Sequence, residues 1–111
     1  MGFKMLIAIT SQNHKTVTKH ASKTRRFLVF KVGENQSLHS LDPIDLPKEQ
    51  SLHEIDRKAP HPIYLMDALI TGSCGDNFRV RLAAHDVDVY QTETEDPLEA
   101  IHEYLTHRRI S

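Results

Sequence analysis

One cysteine, Cys74, is the only thiol in this 111-residue chain. An intrachain disulfide is therefore excluded, and a reducing cytoplasm is the expected setting. Long hydrophobic runs are also missing. Nothing approaches the roughly 20 apolar residues that span a bilayer, so no membrane association is expected. The opening MGFKMLIAIT has one lysine, turns polar at Ser11 and offers no small-residue cleavage site. It reads as a first strand and not as a secretion signal. Acid is absent from the first third. Residues 1–33 carry seven Lys/Arg and no Asp or Glu, whereas residues 34–111 carry seven Lys/Arg and all fifteen acids. The net charge of −1 thus hides a basic segment that either draws an anionic ligand to one side or simply solvates a loop.

Catalytic and metal signatures are scarce too. There is no CxxC, HExxH or paired Cys/His knuckle for zinc. No GxxxxGK[ST] phosphate loop occurs, and Gly72-Ser73-Cys74-Gly75 is not the GxSxG nucleophile elbow. The first strand, Phe3–Thr10, holds no carboxylate, which disfavours a two-metal nuclease. Nucleic acid is a minor alternative, because the basic stretch is followed by Phe27 and Phe30 on what reads as a core strand and no named nucleic-acid motif is present. An enzyme is not expected.

What is present fits a single domain over residues 1–111, long enough for one core. Phe3–Thr10 reads as a buried strand, Ser11–Arg26 as mostly loop, and Phe27–Val32 and Leu38–Leu46 as a hairpin around Gly33-Glu34-Asn35. Pro43 argues for an edge position of the third strand or an interruption in it. The proline-flanked, charged stretch from Pro47 to Pro62 reads as an excursion, with a short helical turn at Ile63–Met66. Ala68–Thr71 is a fourth strand and Val87–Tyr90 a fifth. Phe78–Leu82 alternates as a strand would, but a parallel connection between these two strands needs a crossover, so it is expected to be a helix. Asp96-Pro97 with Glu99 offers an N-cap, a first helical residue and a reciprocal capping partner, and Leu98, Ile101 and Leu105 offer an apolar face for the last helix.

The Gly-Ser-Cys-Gly loop is the most informative part. A loop leaving the C-terminal end of a strand and opening a helix is where α/β proteins hold ligands. If the helix starts near Asp76, its dipole favours a thiolate at Cys74, a ligand for a soft metal or an iron–sulfur species. The bland alternative is a small, semi-buried residue filling a tight loop. Eight histidines add further candidates. His14 and His20 flank the basic loop and His53 and His61 lie in the excursion; His20 ranks first because its loop can face that of Cys74. For any single histidine a structural role is the simpler reading.

These residues together resemble the dinitrogenase iron–molybdenum cofactor biosynthesis domain, the small module of NifX-type proteins and of the C-terminal part of NifB. The likeness runs through Met5–Thr10, His20, Arg26–Phe30, Ala68–Gly75, Phe78–Ala84, Val87–Tyr90 and Pro97–Leu105. Leu46–His53 with His61-Pro62 looks like a subgroup of uncharacterised members. The resemblance implies a three-layer α/β/α domain with a ribonuclease-H-like mixed sheet of five strands. It also implies non-catalytic binding or carriage of an iron–sulfur or iron–molybdenum cluster, or a precursor. Its partners would be cluster donor or acceptor proteins, or a second copy of the chain in a homodimer. The family often has His-Phe-Gly in the first loop where this chain has His20-Ala21-Ser22, and its glycine turn commonly lacks a cysteine. On this view Cys74 and His20 would hold metal, with His14, His53 and His61 as further contributors. Gly72, Ser73 and Gly75 would let the backbone approach, and Lys15, Lys19, Lys23, Arg25 and Arg26 would attract negative charge. The rivals are a metal-free protein-interaction or regulatory module on the same fold and, third, a small enzyme acting on a phosphorylated ligand.

Overall fold

A computed structural model describes residues 5–33, 37–47, 50–51 and 60–110. Five strands form one mixed sheet in the order β3-β2-β1-β4-β5. They are β1 (Met5–Thr10), β2 (Arg26–Val32), β3 (Leu38–Asp45), β4 (Ala68–Thr71) and β5 (Asp88–Gln91). β1, β2 and β3 pair antiparallel, whereas β1–β4 and β4–β5 are parallel. One-turn 3-10 helices lie at Ala21–Lys23 and Pro62–Leu65. Among the described residues two segments are α-helical, α1 (Asp76–Ala83), the crossover between β4 and β5, and α2 (Pro97–Ile110).

Alternation along the central strands builds a core on each face, giving three layers. Met5, Ile7 and Ile9 of β1 and Ala68 and Ile70 of β4 point one way, onto Ala100, Ile101 and Tyr104 of α2. Ala8 and Leu69 point the other way, with Phe27 and Ile63, onto Phe78 and Leu82 of α1. β1 and β4 are nearly continuous apolar runs because both of their faces are covered. β3 is the contrasting edge: seven of its eight residues are exposed, and the register shift beside Pro43 fits a strand that cannot donate there.

The expected elements are present with small shifts. Phe78–Leu82 is helical, as the parallel β4–β5 pairing requires. The last helix begins as its sequence indicates, with the Asp96 carboxylate accepting from Leu98 N at 3.0 Å. Two details differ. Asp96 N donates to Thr94 Oγ1 at 3.2 Å, so that side chain takes the place assigned to Glu99. The buried face of α2 is Ala100, Ile101 and Tyr104, and Leu98 is exposed because it is rotated well round the helix from Ala100 and Tyr104. No helix among the described residues is long and apolar enough to cross a membrane.

Candidate functional site at the carboxyl edge of the parallel strands

Parallel strands ending side by side leave a crevice above their carboxyl ends, bounded by whatever the chain does next. Here β1 runs into the Ser11–His20 loop, β4 into Gly72–Gly75, and β5 into Thr92–Asp96. The first two loops are stitched together. Gly72 N donates to Thr18 O at 3.0 Å and Ala21 N to Ser73 O at 3.1 Å. His20 and Cys74 therefore each sit one residue from a bonded Ala21–Ser73 pair, although 53 positions separate the bonded residues Thr18 and Thr71. The first loop is also tied to the third, through Val17 N to Glu95 O at 2.9 Å.

The two glycines of the motif differ in kind. A Cβ on Gly72 would lie 3.1 Å from Lys19 Cγ and 3.2 Å from Thr18 O, so glycine is what permits the loop-to-loop approach. A Cβ on Gly75 would meet nothing within 4 Å, and Gly75 serves as an N-cap with φ −90°. The expected close approach of backbone at Gly72 is thus made by the protein's own Thr18 and Lys19.

Cys74 is half-buried against the α1-side core, with Sγ 3.8 Å from Gln91 Oε1. Burial pushes its thiol above the ordinary cysteine value; the Arg79 guanidinium pulls the other way and Asp76 adds to the rise. Desolvation is thus the largest influence on this thiol and acts against the pull toward thiolate expected of the helix start. His20 is exposed and adopts a left-handed backbone, φ 62°, which delivers the chain into the Ala21–Lys23 turn. Together with Gln12, Lys19, Lys23 and Thr24 it lines a hollow of ≈ 260 Å³. A larger cleft of ≈ 780 Å³ runs between Thr16–Lys19, Gly72-Ser73 and Gln91–Glu95. Lys19 lines both.

The other candidates separate into different places. His61 is buried, 5 % exposed, and both ring nitrogens are engaged: Nδ1 accepts from Ile63 N at 3.2 Å, which leaves Nε2 to donate to Gln50 O at 3.0 Å. Its ring meets Phe27 edge-on at 6.2 Å and Tyr64 at 5.9 Å. Burial lowers its pKa below the usual imidazole value, the Gln50 carbonyl opposing and Arg81 adding to the fall. His14 has a left-handed backbone, φ 59°, and its Nε2 is buried with no hydrogen-bond partner among the described residues. His53 lies outside the described residues. Arg25 and Arg26 are engaged within the structure: both pair with Asp45, Arg25 Nη1 also donates to Leu46 O at 3.2 Å, and Arg26 Nη1 donates to Gln12 O at 3.1 Å. Lys15, Lys19 and Lys23 are exposed. Among the described residues no three His, Cys, Asp or Glu side chains gather into a group that could hold a metal ion.

Sequence reasoning missed the buried threonines beneath this site. Thr10 closes β1 and Thr71 closes β4, and their hydroxyls lie 2.9 Å apart. Two polar residues ending otherwise apolar strands are the signal that could have found them.

Residues 4–107 match the family described as dinitrogenase iron–molybdenum cofactor. The chain belongs to this family. Solved structures of similar fold include the NMR structure of a Thermotoga protein named as a candidate NifB. It is 19% identical, with 94% of this chain and 90% of that one covered and a TM-score of 0.61. A crystal structure from Methanocaldococcus jannaschii, named as a candidate dinitrogenase, is 14% identical over 95% of this chain and 91% of that one, again with a TM-score of 0.61. No curated protein matches the chain significantly. Both solved structures share the overall fold of this chain.

Proposed function

We propose that this chain, as one domain with a ribonuclease-H-like sheet, binds and carries an iron–sulfur or iron–molybdenum cluster, or a precursor, without transforming it. The observation that carries this reading is the stitching of the two loops, which brings the segments bearing His20 and Cys74 together at the carboxyl edge of the sheet. The family link supports the class of cargo.

The donor set suits a carrier better than a permanent site. One thiol and one exposed imidazole are soft and borderline ligands, and no third donor is gathered beside them among the described residues. The remaining positions on the cargo would be filled by its own ligands or by a donor, acceptor or second copy of the chain. Lys19 and Lys23, exposed beside His20, supply attraction to a negatively charged cargo. His61 has both ring nitrogens engaged and is no free ligand, and Arg25 Nη1 is held by Leu46 O and Asp45.

Anaerobic incubation with preformed iron–sulfur cluster, followed by metal analysis and absorption spectroscopy, tests the reading on the parent, Cys74→Ser and His20→Asn. Stoichiometric uptake by the parent, abolished or sharply weakened by either substitution, is expected. No uptake by the parent, or uptake indifferent to both changes, overturns it. The upward push of burial on the Cys74 thiol, with no gathered ligand group among the described residues, favours a second reading, a metal-free interaction or regulatory module. That module would capture a protein partner equally well with and without metal.

A further inference from the structure

Thr10 and Thr71 are both fully buried, at 0 % exposure, where valine would fill the same space without a hydroxyl to satisfy. The hydroxyls answer to two carbonyls. Thr10 Oγ1 lies 2.8 Å from Thr18 O, and Thr71 Oγ1 lies 3.3 Å from both Thr18 O and Ser73 O. These are the same carbonyls that accept Gly72 N and Ala21 N in joining the loops. Each of these carbonyls therefore has an amide from the opposite loop and a threonine hydroxyl within reach beneath it. Each hydroxyl has one proton, so Thr10 donates either to Thr18 O or to Thr71 Oγ1, and Thr71 either to Thr18 O or to Ser73 O.

We infer that the Thr10–Thr71 pair is a positioning element that sets the spacing of the His20 and Cys74 loops. Neither threonine touches cargo. What the spacing is for rests on the carriage reading; that the pair sets it does not. Thr71→Val removes the hydroxyl that reaches both carbonyls, and Thr71→Ser keeps it.

Amide hydrogen exchange of the full chain separates the two questions. In Thr71→Val, exchange at Gly72 and Ala21 is expected to rise about tenfold, the effect of losing one buried hydrogen bond, while Ile7 and Ile70 in the strands stay as protected as in the parent. Cys74 should be alkylated faster, and a parent that takes up cluster should hold it about tenfold more weakly after the change. Thr71→Ser should restore all of these. Unchanged exchange at Gly72 and Ala21, equal loosening of the strand amides, or failure of serine to restore would overturn the assignment. The expected exchange pattern in a parent that takes no cluster would leave the positioning role standing and sink the carriage reading. Should Thr71→Val not fold, Thr10→Val serves, with Gly72, whose amide bonds to the carbonyl that Thr10 reaches, expected to loosen by about tenfold while the strand amides stay protected.

Discussion

His20 and His61 look alike in the sequence, each an imidazole in a polar stretch between strands, and the fold treats them oppositely. His61 is enclosed by Phe27 and Tyr64, and each of its ring nitrogens has a backbone partner. His20 stands exposed at the mouth of a hollow beside two lysines. Ligand character in a histidine is a matter of what its nitrogens are already bonded to, and spacing along the chain does not reveal that. The difference also divides labour: one histidine anchors the Pro62–Leu65 turn on the α1 side, and the other is left at the edge where the parallel strands end.

Removing the enclosed ring is the sharpest way to break this comparison. His61→Ala strips a buried aromatic and leaves Ile63 N and Gln50 O unpaired, so it should destabilise the protein by about 3 kcal/mol in urea unfolding. His20→Asn keeps a residue tolerant of the left-handed backbone and should change stability by less than about 0.5 kcal/mol. A small loss at His61, or a comparable loss at both, would remove the distinction.

The glycines of the motif allow the same contrast at shorter range. Gly72→Ala must push its Cβ against Thr18 O and Lys19, and should cost about 1–2 kcal/mol while loosening the stitched loops. Gly75→Ala enters open space at an ordinary φ and should be neutral, or stabilising by about 0.5 kcal/mol. Thermal unfolding of the two variants side by side checks this; equal effects would mean that the close approach does not matter.

How much of this was legible beforehand follows from where the information lies. Strand and helix assignments rest on local patterning, and the Phe78–Leu82 ambiguity was resolved by a topological rule, so the element order could be read from the chain. The α2 face could not be read as well, since Leu98 fits the period but is rotated well round the helix from the buried Ala100 and Tyr104. The site divides in the same way. That the loops after β1 and β4 lie side by side follows from the parallel pairing of those strands. That burial would act against the helix start at Cys74, or that Asp45 would engage both Arg25 and Arg26, depends on neighbours distant in sequence.

Acid should report the enclosed histidine. The folded protein holds His61 with a pKa below the unfolded value near 6.5, so in that interval the unfolded chain binds more protons than the folded one. Stability from this group is complete above about pH 6.5 and declines as pH falls toward the folded pKa, because protonation removes the acceptor that Ile63 N uses. A stability profile from pH 8 to pH 5 should slope downward over this range and lose part of that slope in His61→Gln. An unchanged slope would assign the acid sensitivity to other groups.

The smallest effect concerns Cys74, and it bears most directly on cargo. A half-buried thiol held above its usual pKa presents little thiolate at neutral pH, so alkylation at pH 7.5 should run several-fold slower than for an unstructured cysteine peptide. Any metal that binds there must displace the proton, which makes uptake stronger as pH rises. Arg79 sits where it lowers the thiol's pKa against the effect of burial. Arg79→Gln should therefore slow alkylation further and shift the pH dependence of cluster uptake upward. Alkylation as fast as the free peptide's would mean that Cys74 is already a reactive thiolate, and the contrast between a guarded thiol and an exposed imidazole at this edge would disappear.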